Sequence, residues 1–95
     1  MSGERKALSL RITGRVQGVG YRAWLAGQSG AAGLDGWVRN RRDGSVEALL
    51  SGPAGAVDRV AAACRRGPSM ALVDRVQATE AEPPDHPGFG QWPTL

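Results

Sequence analysis

The sequence has a single cysteine, Cys64, and a single histidine, His86. One cysteine forbids an internal disulfide. One Cys with one His cannot supply the four ligands of the usual structural zinc sites. No apolar run approaches the ~20 residues that a membrane-spanning helix needs. The first residues, MSGERKALSL, lack the apolar segment of a secretory signal. The chain therefore reads as cytoplasmic, with no membrane partner. Lysine is almost missing as well: of the 12 basic residues only Lys6 is a lysine. The rest are arginines in a chain rich in Ala and Gly, where compositional bias explains them more simply than a nucleic-acid surface does, since basic charge is only a footprint. Aromatic residues make up just 5%.

What is present is one small domain. A chain of 95 residues is near the lower end of those that fold alone, and its 41% hydrophobic content is too high for disorder at a net charge of +3. No linker, repeat or low-complexity tract divides residues 1–95.

Leu8, Leu10 and Ile12 alternate with Ser9, Arg11 and Thr13, the period-two pattern of a half-buried strand. The glycine-rich stretch GRVQGVGYR (14–22) follows. From Tyr21 to about Ala32 the pattern predicts a helix with Trp24, Leu25 and Ala32 on one face, weakened by Gly27 and Gly30 and stopped at Gly33. GWVRNR, the turn pair Asp43-Gly44 and SVEALL read as a hairpin with Val46, Ala48 and Leu50 on one face. Pro53 suits the first turn of a second helix. In it Val57, Val60, Ala61 and Cys64 form a buried stripe, Arg65 and Arg66 fall in the last turn, and Gly67-Pro68 ends it. Cys64 is thus a small core residue rather than a nucleophile. LVDRVQATE (72–80) is a further strand, and FGQW offers a short edge strand before Pro93. The order βαββαβ, with an optional fifth strand, predicts an α+β ferredoxin-like sandwich: an antiparallel sheet with both helices on one face.

A glycine loop running into a helix start is a cradle for an anion. Loop amides and the four unpaired N–H groups of a first helical turn can converge on a phosphate or carboxylate. Gly18 and Gly20 permit the required dihedrals. Arg22 adds a planar fork of donors, and a cation at that end of a helix opposes the helix dipole unless an anion lies between them. Known phosphate loops fit poorly. A Walker A motif needs Gly-Lys-Ser/Thr, and the loop has no lysine. Gly18-Val-Gly20-Tyr-Arg-Ala23 matches a dinucleotide fingerprint formally, but the chain is too short for two mononucleotide halves and the hairpin after the helix contradicts it. A thiol phosphatase loop has its cysteine where Val16 stands. Asp35 and Asp43 read as turn formers and His86, in PPDHPG, as a solvated loop residue. With no nucleophile in the loop, hydrolysis would use water. Asn40, the only asparagine, can hold such a water through its amide, or simply begin the hairpin turn. In a ferredoxin-like order its strand lies at the sheet edge or beside the first strand, with its end near the loop.

GRVQGVGYR (14–22) followed by GWVRNRRDGSVE (36–47) resembles the acylphosphatase family, over roughly residues 7–92. The resemblance implies hydrolysis of the carboxyl–phosphate bond of acyl phosphates to a carboxylate and inorganic phosphate, without a cofactor. By position it implies that Arg22 and the backbone amides of Gln17, Gly18, Val19, Gly20 and Tyr21, within the Gly14–Arg22 loop, hold the phosphate, while Asn40 holds the attacking water. The leaving carboxylate is weakly basic, so orientation and charge stabilisation suffice without a general acid. FGQWPTL departs from the charged, tyrosine-ending strand common in the family. Gly20 stands where a bulkier residue is frequent, which implies a looser loop. The competing readings are a phosphate-sensing domain without activity and an RNA-binding module. The latter is disfavoured because neither LSLRI nor SVEAL carries an aromatic for base stacking. The expected partner is a small acyl phosphate, and the expected state a monomer.

Overall fold

A computed structural model describes residues 4–95. The elements run β1 (Arg5–Arg15), α1 (Tyr21–Ala31), β2 (Asp35–Asn40), β3 (Val46–Pro53), α2 (Ala54–Ala63), β4 (Leu72–Glu80) and β5 (Phe89–Gln91). They form one five-stranded sheet in the order β4-β1-β3-β2-β5. The three pairings β1–β3, β1–β4 and β2–β3 are antiparallel, and β5 runs parallel to β2. β2 thus lies between β3 and β5. Of the two placements expected for it, the position beside β1 is taken by β3, and the edge position is covered by β5.

Strand alternation decides which face is buried. Leu10, Ile12, Val38, Val46, Ala48 and Leu50 point to one side and form the core with Tyr21 and Leu25 of α1 and Val57 and Val60 of α2. α1 packs over β2, β3 and β5, and α2 over β1 and β3. Each fully buried large aliphatic contributes roughly 1.5–3 kcal/mol of transfer free energy. Cys64 is fully buried in this core. The opposite sheet face carries a stack of Trp37 on Trp92, with ring centroids 4.6 Å apart, and Arg39 lies over Trp37 at 4.7 Å.

Some details depart from the sequence reading. The buried stripe of α1 is Tyr21, Leu25 and Ser29, because the i, i+4, i+8 spacing places Ser29 inward and Trp24 at the flank. Gly33 stops α1 as expected: at φ +71° it donates to Gly30 O, while Leu34 donates to Ser29 O, the paired bonds of a Schellman motif. The hairpin turn is centred one residue early. Gly44 N–H donates to Arg41 O and Gly44 has φ +94°. Arg42 and Asp43 are therefore the central residues, and Gly44 supplies the left-handed position that follows. α2 ends at Ala63, so Arg65 and Arg66 lie in the turn beyond it, and Gly67 closes that turn by donating to Ala63 O. Asp35 is the first residue of β2, not a turn residue. Its Oδ1 accepts from Gly88 N–H at 2.8 Å, which ties the start of β2 to the segment entering β5.

Candidate active site

The loop between β1 and α1 owes its shape to where β1 must stop. Pairing with β4 shifts register between Thr13 and Gly14, the mark of a bulge. Gly14 sits there at φ +121°, and a Cβ on it would lie 2.3 Å from Leu72 O. The chain then turns inward and buries Val16, which is 1% exposed. Gly18 (φ +74°) and Gly20 (φ +80°) take left-handed conformations with open space around them. Gly20 is the N-cap of α1. Among the described residues no side chain caps this helix, and its first turn holds no acidic residue. The N–H groups of that turn therefore remain open, carrying the partial positive charge of a helix start.

The residues that carry these open groups line a cavity of about 150 Å³. Val16, which stands where a thiol phosphatase would place cysteine, lines it together with Gly18, Gly20 and Tyr21. Arg22 and Ala23, from the first turn of α1, line it too, as do Asn40 and Gln91 from the sheet. The strands bring these two together. Asn40 ends β2 on the same face as Val38, and Val38 is the register partner of Gln91 in β5.

Charge in this region is distributed unevenly. Glu47 is shared by Arg39 Nε at 2.9 Å and Arg41 Nη1 at 3.0 Å, with Arg11 4.0 Å away. Burial alone would raise the Glu47 carboxyl, but hydrogen bonds from Arg39 and Arg41 and their charges outweigh it and hold it below the ordinary range. Asp43 is likewise held low, first by the Ser45 hydroxyl and then by the Ser45 N–H. Arg22, by contrast, has no acidic partner among the described residues. It is the cation that faces the cavity.

Gln17 and Val19 do not line the cavity. The Gln17 carboxamide turns away and donates through Nε2 to Arg41 O at 2.7 Å and Ser45 O at 2.9 Å. It moors the loop to the β2–β3 hairpin. Val19 packs against the core. Tyr21 is 2% exposed and its hydroxyl donates to Cys64 O at 2.6 Å. Burial pushes the phenol well above its usual range, so Tyr21 anchors α1 and offers the cavity only its backbone. His86 is exposed and borders a separate recess beside Phe89 and Trp92. Val16 and Ala23 entered the sequence analysis only in the comparison with other phosphate loops, and Gln91 only as part of a short edge strand; none of the three was expected in the site, and all three line it. Gln91 was detectable only as a polar position on a short edge strand.

The sequence pattern of the acylphosphatase family matches residues 8–90. An acylphosphatase of Rhodospirillum rubrum is 52% identical over 90 residues, spanning 95% of this chain and 99% of its own length. One from Rhodopseudomonas palustris is 62% identical over 72 residues, 76% of this chain and 73% of that protein. Among solved structures, the crystal structure of acylphosphatase from Bacillus subtilis superposes with a TM-score of 0.87 at 32% identity. The match covers 94% of this chain and 99% of that one. Among the described residues no helix is long and apolar enough to cross a membrane.

Proposed function

The chain belongs to the acylphosphatase family, whose members are hydrolases acting on acid anhydrides, and on that premise we propose how its residues divide the work. The phosphoryl group of a small acyl phosphate sits in the cavity, held by the open N–H groups of Gly18 to Tyr21 and by the Arg22 guanidinium. Asn40 holds a water beside phosphorus. The water oxygen forms a bond to phosphorus while the bond from phosphorus to the acyl oxygen breaks. The carboxylate leaves with that bonding pair, and the proton lost by the water passes to a phosphate oxygen. No general acid is required, because a carboxylate is a stable leaving group. The helix start and Arg22 stabilise the charge on the phosphoryl oxygens through the transition state.

One observation carries this reading: an uncapped helix start and an arginine with no acidic partner among the described residues share a small cavity with the one asparagine of the chain. Gln17 supports it indirectly, because its side chain fixes the distance between the phosphate loop and the strand that carries Asn40.

The test is hydrolysis of acetyl phosphate in the presence of EDTA, followed by release of inorganic phosphate. Saturable turnover competitively inhibited by phosphate is expected. Absence of turnover at every substrate concentration, with phosphate still bound, would replace catalysis by phosphate sensing.

A further inference from the structure

The C-terminal strand brings a second amide to the wall on which Asn40 stands. The β2–β5 register pairs Val38 with Gln91. Alternate residues share a strand face, so Gln91 lies on the face of Val38 and of Asn40, two residues further on. Both amides border the cavity. Neighbours on either side of Gln91 fix its orientation. Phe89, on the same face, packs against the core, and Trp92, on the other, stacks on Trp37. Backbone bonds continue the ladder past the strand: Trp92 N–H donates to Val38 O at 2.9 Å, Leu95 N–H to Asn40 O at 3.1 Å, and Arg42 N–H to Leu95 O at 3.0 Å. Asn40 and Gln91 are therefore held in one continuous hydrogen-bonded ladder.

On the reading that Asn40 holds the attacking water, we propose that Gln91 is a second hydrogen-bonding partner of that same water. A water held by one amide can rotate about that bond. A second amide on the same wall fixes the rotation and keeps a lone pair aimed at phosphorus. In-line displacement puts water and leaving carboxylate on opposite sides of phosphorus. A side chain that shares the wall of Asn40 therefore belongs to the water's side. Its carboxamide is neutral and does not repel the phosphate dianion. Gln91 is exposed at the mouth of the cavity, where bulk water enters and replaces the molecule consumed at each turnover. Gln91 takes no proton; it orients.

Gln91→Met keeps the length of the side chain and removes its hydrogen bonds. The expected result is a fall in kcat of about tenfold, the loss of one neutral hydrogen bond, with KM for acetyl phosphate, inhibition by inorganic phosphate and Tm unchanged. In an Asn40→Ala background the same substitution should add almost nothing, because the water is already lost. Unchanged kcat in Gln91→Met overturns the proposal, as does an effect confined to KM or a full further tenfold loss on top of Asn40→Ala. Gln91→Glu supplies an independent check. A carboxylate at this position must weaken phosphate inhibition by like-charge repulsion, and undiminished inhibition would place residue 91 outside the site. The two readings fail separately: full kcat in Asn40→Ala alone overturns the role of Asn40, whereas full kcat in Gln91→Met beside a crippled Asn40→Ala overturns only that of Gln91.

Discussion

Gln17 separates the position of the phosphate loop from its composition. Its Nε2 donates to Arg41 O and Ser45 O at 2.7 and 2.9 Å. Each of those carbonyls also accepts a backbone bond, Arg41 O from Gly44 N–H and Ser45 O from Arg41 N–H. Gln17→Ala therefore removes two bonds but orphans neither acceptor. A neutral hydrogen bond contributes about 0.5–1.5 kcal/mol net, which puts the loss at about 1–3 kcal/mol for the pair. For a domain of this size that lowers Tm by roughly 4–24 °C. Gln17→Glu should be worse at pH 7, because a carboxylate would face two carbonyl oxygens with no donor to offer. The charged form is disfavoured in the folded state, so the folded pKa is raised above the ~4.3 of an unfolded glutamate. The added penalty is absent below that value and grows as pH rises through the folded pKa. The deficit of Gln17→Glu should therefore shrink between pH 7 and pH 4, while that of Gln17→Ala stays nearly constant. In activity, a loosened loop misplaces phosphate relative to Asn40, so kcat should fall more than phosphate affinity. Circular-dichroism melts at pH 4, 5.5 and 7, with phosphate inhibition of acetyl phosphate hydrolysis, measure both effects. A Gln17→Ala protein that melts within about 1 °C of the parent, well inside the shift expected, with unaltered kcat, refutes the mooring role.

Arg22→Ala should abolish turnover and weaken phosphate inhibition, and unchanged inhibition in phosphate competition assays would remove Arg22 from the binding role. Asn40→Ala should lower kcat on the order of a hundredfold, the loss typical of one positioned polar group, with phosphate still bound. Collapse of its far-ultraviolet spectrum would instead make Asn40 a residue of the hairpin's structure. Gly36→Ala should destabilise strongly in denaturant titrations, because Gly36 has φ +137° and a Cβ would lie 1.8 Å from Leu49 O. The strained dihedral alone costs about 1–3 kcal/mol, and a small shift in midpoint would contradict that packing. At alkaline pH, burial pushes the Cys64 thiol up to about 11 from 9.0. Its folded pKa is raised, so this contribution is complete below pH 9 and is lost as pH climbs to 11, on the order of 2–3 kcal/mol. Cys64→Ala should show a shallower fall in Tm over that window than the parent, and equal slopes would mean that the thiol does not titrate on unfolding.

The sequence exposed those parts of the molecule whose cause is local. The strand around Leu10 and Ile12, the helix opening at Tyr21 and the LVDRVQATE strand each have enough residues for a period to appear. The glycine loop running into a helix start at Tyr21 was legible because left-handed dihedrals there call for glycine. Features set by distant pairing were not legible. β5 has three residues, too few for a period, so neither its parallel direction nor the arrival of Gln91 beside Asn40 could be read. The inward position of Ser29 follows from how α1 rolls against β2 and β3, not from hydrophobicity. The Gln17 side chain was unreadable for another reason: its acceptors are backbone carbonyls, which carry no residue identity. The turn is centred on Arg42 and Asp43, where Asp43 Oδ1 accepts from the Ser45 N–H and hydroxyl in an Asx turn that the Asp-Gly pair alone does not reveal.

The sheet guards its two borders by different means. β4 presents Asp74, Arg75 and Glu80 as exposed side chains, charges that discourage a second molecule from pairing there. β2 has no such guard. Its free N–H and C=O groups are covered only by β5 and the few residues after it. So short a cover opens at a lower free energy than the whole domain. Each opening presents a bare strand, Asp35–Asn40, to any neighbouring copy. Aggregation of this protein should therefore begin at its C-terminal strand while the rest of the fold is intact. If an anion is seated, as proposed, in the cavity that Gln91 borders, it would hold that cover shut, and added phosphate should then slow self-association.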